Sequence, residues 1–172
     1  MMILTIVSLF LAVGGMVLMS RGGVPDSISG MVYSLPVRSR WLWSGWLVAV
    51  AMTLMVPLMC ALYDVAWLGW LTVVCLIGAA VTPVFNRVTR TMHNICGVAA
   101  GLLSQVCVAC LCPWWLACWM VFIPLVAGSM GAYNDSEDVP PAVCDGKGVL
   151  VAECICAISL YGAMVCSCGQ TA

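Results

Sequence analysis

Charge is what this chain has least of. Only 8% of its 172 residues are Asp, Glu, Lys or Arg, against about 25% in soluble globular domains. That shortage excludes a water-soluble fold. Hydrophobic residues make up 64% of the chain, and a small domain leaves too much surface in water to hide them all. Histidine is nearly missing, with one copy. A hydrolytic zinc site needs about three protein ligands, often several of them His, so no metal is expected. The sequence contains no H-E-x-x-H, no G-x-x-x-x-G-K-[ST] and no G-x-S-x-G, so no catalytic residues and no cofactor are assigned from motifs. A formal net charge of −1 offers nucleic acid no basic surface. The expected environment is the lipid bilayer.

No cleavable leader is expected either. The first apolar run, 2–20, has no basic residue before it and is followed by Arg21-Gly22-Gly23 rather than an Ala-x-Ala site. It is also longer than the roughly 7–15 apolar residues of a leader core. It reads as a retained first helix.

What the chain does have is a series of long apolar runs. A helix needs about 20 mostly apolar residues to cross a bilayer, and six segments qualify: 2–20, 41–62, 65–85, 92–111, 113–133 and 149–166. The expected fold is all-α, a polytopic transmembrane bundle of six helices forming one domain over 1–172. Asp64 suits the N-cap of the third segment, and Pro113 suits the first turn of the fifth. Residues 134–148, with Asp135, Glu137, Asp138 and Asp145, read as an acidic cytoplasmic loop.

The few charges orient the bundle. Arg21, Arg38 and Arg40 follow the first segment, Arg87 and Arg90 the third, and Lys147 the fifth. With six spans all of these lie on one face, which the positive-inside rule makes cytoplasmic. The chain is then expected to be a multi-pass protein of the cell (inner) membrane, with both termini on the non-cytoplasmic side. Trp41, Trp43 and Trp46 fall near the cytoplasmic face, and Trp67, Trp70, Trp114, Trp115 and Trp119 near the outer one. They read as interfacial belts, with substrate stacking as the sharper alternative.

Two features are out of place in an apolar helix. Asn86, Arg90, His93, Asn94, Gly97, Gly101, Ser104 and Gln105 recur at spacings of three and four, so the fourth segment carries a polar, small-residue stripe. Such a stripe is either a packing seam, for which Gly97 and Gly101 form a G-x-x-x-G, or the wall of a cavity. Glu153 lies about one turn inside the sixth segment. It is either an acid near a helix N-terminus or a functional group inside the membrane. His93, Arg90 and Arg87 are its candidate partners, and Tyr161 lies on the same face at i+8. A Tyr–Glu–His chain would relay protons, or would satisfy three buried polar groups. Most of the 12 cysteines fall inside spans and act as small apolar residues. A disulfide among Cys110, Cys112, Cys166 and Cys168 is one alternative.

The stretch Pro25-Asp26-Ser27-Ile28-Ser29, followed by Tyr33, resembles a Pro-x-Ser-Ile-Ser-x-x-x-Tyr element found after the first helix of small polytopic membrane proteins of bacteria and phages. Gly78-Ala79-Ala80 and the His93 that opens the fourth segment are similar as well. The resemblance covers the first four segments. It implies no activity, but it joins the Ser-Ile-Ser loop and His93 into one cytoplasmic site.

Three functions follow as expectations. The first is small-solute or proton transport, or ligand binding, through a cytoplasm-facing polar pocket of Asp26, Ser27, Ser29, Arg90, His93, Asn94 and Glu153, with Tyr161 deeper. The second is a structural or interaction protein that packs through Gly97 and Gly101 against a partner, a second copy included. The third is an intramembrane hydrolase using Ser27 or Ser29 with His93.

Overall fold

The computed structural model describes residues 2–19, 27–83, 86–120 and 142–170. Among these the chain is all-α, with no strand. Five helices are long and apolar enough to cross a membrane, so the chain is a multi-pass bundle. The α-helices are α1 Met2–Met19, α2 Arg40–Ala61, α3 Ala66–Val81, α4 Arg90–Leu111 and α5 Ala142–Gln170, and the third candidate span, Tyr63–Val81, is α3 with the turn before it. Each helix from α1 to α4 packs against the next, α5 lies on α4, and α1 and α2 also touch α5.

The short joints are built locally. Between α2 and α3 a single 3₁₀ turn, Tyr63–Val65, suffices. Gly69 lets Leu58 and Leu62 close over α3, since a Cβ there would stand 3.2 Å from the Leu58 side chain. Asp64 does not cap α3 as its sequence position suggests. The N-cap position is Val65, without a side-chain bond, and Asp64 lies exposed in the turn before it. α3 stops at Val81, short of the expected residue 85. The Thr82 hydroxyl donates to Gly78 O at 2.6 Å, and Pro83, which has no N–H to offer, follows.

α5 begins at Ala142, so residues 142–148, read from sequence as the end of a loop, are helical. The fifth expected span opens as a 3₁₀ turn, Pro113–Ala117, and its residues 121–133 lie outside those described. α4 and α5 run parallel. His93 at the start of α4 and Glu153 reach one turn of chain, while Trp115, just after α4, reaches Cys166 near the end of α5. The chain therefore leaves α4 at one end of the bundle and enters α5 at the other.

Two apolar clusters fill the interior. One, with Leu54, Leu58, Val73, Val108 and Met164, knits α2 to α5. The other lies at the end where α2 and α4 begin, and joins Met31 and Val32 to Trp43, Leu47 and Ala80. Met31 and Val32 belong to a 3₁₀ helix, Ser29–Ser34, which caps this end by pushing two apolar side chains into it. Ile3, Phe10, Val98 and Leu102 point outward, as lipid-facing residues do.

Half of the eight tryptophans correct the belt assignment. Trp41, Trp67, Trp70 and Trp114 are exposed, but the other four turn inward to reach acceptors. Trp46 donates to Leu11 O at 2.8 Å and lies against Gly15, and Trp119 donates to the Gln105 amide oxygen at 2.8 Å. Trp115 packs on Gly162 and Trp43 is fully buried. Burial of an indole N–H demands such a partner. A Cβ on Gly15 would overlap the Trp46 ring, whereas one on Gly14 would meet nothing within 4 Å. Gly15→Ala should therefore lower stability by about 1–3 kcal/mol through overpacking, with Gly14→Ala neutral or better. Thermal unfolding in detergent compares the two, and equal melting points would remove the Trp46 contact as the cause.

Candidate functional site

The turn Ser27–Gly30 is first shaped by itself. Gly30 N–H donates to the Ser27 hydroxyl at 2.8 Å, and Met31 N–H to Ser27 O at 3.2 Å. Serine at the start of a turn commonly takes such a local bond. Ser27 is thereby engaged within the turn, while Ser29 presents its hydroxyl to the bundle.

Three helices then grip the turn. From α4, His93 Nε2 lies 2.8 Å from Ser29 Oγ. From α2, Trp43 N–H donates to Ile28 O at 3.0 Å. From α5, Glu153 accepts the Ile28 N–H at 2.5 Å. Both polar backbone atoms of Ile28 are satisfied by side chains from different helices, as a non-helical segment against a membrane bundle requires.

His93 is 4% exposed and its second ring nitrogen is engaged as well. Nδ1 lies 2.8 Å from Ala79 O in α3. A carbonyl only accepts, so in the neutral imidazole Nδ1 carries the hydrogen. Nε2 then has its lone pair free for the Ser29 hydroxyl to donate into. The Trp43 ring, 5.8 Å away and tilted by 51°, closes one side of the imidazole. The result is a hydroxyl bonded to a base whose orientation is set by a third group, the arrangement of an activated nucleophile.

The remaining expected residues divide. With both ring nitrogens of His93 occupied, Glu153 meets the turn and not the histidine. Tyr161 joins neither, because its hydroxyl lies 2.7 Å from Ser8 Oγ on α1, and Ser8 also donates to Val50 O at 3.4 Å. Arg90, Asn94 and Gly97 are on exposed surface of α4, so the stripe splits. His93, Ala100 and Ser104 turn inward, a Cβ on Gly97 would meet nothing within 4 Å, and one on Gly101 would touch Cys156 at 3.8 Å. Asp26 lies outside the described residues.

Sequence reasoning missed Trp43, the Ala79 carbonyl and two polar clusters deeper in the bundle. One is Ser8 with Tyr161. The other centres on Gln105, whose amide nitrogen donates to Ser104 Oγ at 3.0 Å and whose oxygen accepts from Ser159 at 3.0 Å as well as from Trp119. Thr5, Ser8, Ala12 and Gly15 recur at spacings of three and four on α1, a small polar face that signals a packed side. Among the described residues no group of His, Cys, Asp and Glu is arranged to hold a metal ion, and Cys110, Cys112 and Cys166 are free thiols.

Comparison with known protein families finds no match to this chain, and comparison with the curated proteins and with the solved structures finds none either.

Proposed function

We propose that the chain is an intramembrane hydrolase or acyl-transfer enzyme working at one face of the bilayer, with Ser29 as nucleophile and His93 as its base. The observation that carries this reading is the 2.8 Å contact between Ser29 Oγ and His93 Nε2, in a ring whose other nitrogen is held by Ala79 O. In the reaction Ser29 Oγ attacks an ester or thioester carbonyl while its proton passes to Nε2. The imidazolium then protonates the leaving group, and water or a second alcohol releases the acyl group from Ser29. Arg38, Arg40, Arg87 and Arg90 stand at the same end of the bundle as the turn, which supports a cytoplasmic site in a cell membrane with both termini on the other side.

The test is covalent labelling of the purified protein by a fluorophosphonate, which reacts with activated serines. The native chain and Ser27→Ala should be labelled, and Ser29→Ala should not. An unlabelled native chain, or equal labelling of Ser29→Ala, removes the reading.

One observation favours transport instead. Glu153 lies within a span and binds the backbone of the docked turn, so a change in its charge would release a plug over the bundle end. In that case Glu153→Gln should abolish proton-driven solute flux in vesicles while the protein still inserts. Unchanged flux would end the transport reading.

A further inference from the structure

The 3₁₀ helix that begins with Ser29 ends beside a second built feature. Arg40, the first residue of α2, holds its guanidinium 5.3 Å from the centre of the Tyr33 ring. Its Nε is buried and has no hydrogen-bond partner. The ring lies against one side of the guanidinium and the Nε edge is out of water, so the remaining paired N–H groups are the ones left to bind a planar or tetrahedral oxyanion. Its surroundings are those of a headgroup layer. Val37, Trp41 and Leu42 are all exposed and apolar, Trp41 and Arg40 are adjacent, and Arg38 adds a second exposed positive charge.

We infer that Arg40 and Tyr33 hold the phosphate of an anionic glycerophospholipid, which is then the substrate class presented to Ser29. The inference rests on the hydrolase reading for its chemical step and on nothing from it for binding. Spacing supports the link. Tyr33 follows Ser29 by four residues on a 3₁₀ helix, a rise of about 8 Å, so a phosphate at Arg40 sets the glycerol esters of the same lipid within reach of the Ser29 hydroxyl. A soluble phosphate ester would share the charge but would not need the exposed apolar residues around the cation.

The test uses the full chain carrying Ser29→Ala, so that bound lipid is not consumed. Dioleoyl phosphatidylglycerol and dioleoyl phosphatidylcholine are offered in equal amounts in neutral detergent, and retained lipid is read by native mass spectrometry. Phosphatidylglycerol should be preferred. Arg40→Gln should reduce that preference by about fivefold, the contribution of one arginine at an anionic surface. Arg40→Lys, which keeps the charge and loses the planar fork, should also reduce it, and millimolar inorganic phosphate should not displace the lipid. Equal retention of the two lipids, full preference in Arg40→Lys, or displacement by inorganic phosphate would each overturn the assignment. Absence of fluorophosphonate labelling together with intact lipid preference would remove the chemistry and leave the binding site standing.

Discussion

Replacing His93 with alanine should slow fluorophosphonate labelling of Ser29 by about 100-fold to 10,000-fold, the usual worth of a positioned general base. The effect combines two losses that the geometry ties together. Without Nε2 the Ser29 hydroxyl has nowhere to send its proton. Without the imidazole the turn also loses its grip from α4, since Ser29 is bonded to that ring at 2.8 Å. A third consequence is structural: Ala79 O, buried in α3, loses the ring N–H that meets it, and an unsatisfied buried carbonyl costs about 1–3 kcal/mol. Labelling must therefore be measured per folded molecule, with circular dichroism and size-exclusion profiles alongside. His93→Gln separates the losses, because an amide offers hydrogen bonds at similar reach but is not a base at neutral pH. It should restore part of the stability and none of the labelling. Native labelling rates in His93→Ala would show that Ser29 is not activated by this ring.

The largest effect on stability is expected at Trp43. Its side chain is fully buried, it packs with Met31, Val32, Leu47 and Ala80, it flanks His93, and it holds Ile28 O. Trp43→Ala should lower unfolding stability by about 3–5 kcal/mol, as large-to-small changes in tight interiors do. Trp43→Phe keeps most of the volume and loses the indole N–H. It should cost about 1–3 kcal/mol from the unsatisfied Ile28 carbonyl. The exposed Trp41 is the control, and Trp41→Ala should be close to neutral. The measurement is thermal unfolding in detergent, and similar melting points for Trp43→Ala and Trp41→Ala would refute the packing role.

The helices were the most legible part of this chain because lipid solvent leaves few alternatives. An apolar run of spanning length has to satisfy its own backbone, and a helix is the way one segment does so. Their ends were less legible, because a helix does not stop where hydropathy stops. α5 extends to Ala142 through Asp145 and Lys147, residues that hydropathy assigns to water. Trp43 and Trp41 illustrate a different limit. They stand two apart on one helix, and the same side chain serves an interface or a core depending on which neighbour reaches it. The meeting of Ser29 with His93 was legible in part for a physical reason. A lone histidine beside a membrane helix end needs partners, and a turn rich in serine supplies hydroxyls. The choice of Ser29 over Ser27 was not legible, since it depends on the Gly30 N–H that engages Ser27. Nor was the pairing of Ser8 with Tyr161, which are 153 residues apart and share no local pattern.

The gripping of the Ser27–Gly30 turn by Trp43, His93 and Glu153 also sets an order of assembly. The turn leaves the ribosome before any of its anchors. Trp43 follows within a short stretch, His93 arrives two helices later, and Glu153 comes only with α5. During synthesis the turn is therefore secured in stages, and its Ile28 N–H waits for α5. A nascent protein stalled before α5 would carry a half-fastened cap and an unsatisfied amide at the membrane surface. Insertion of α5 is therefore what completes the fastening of the turn that follows α1.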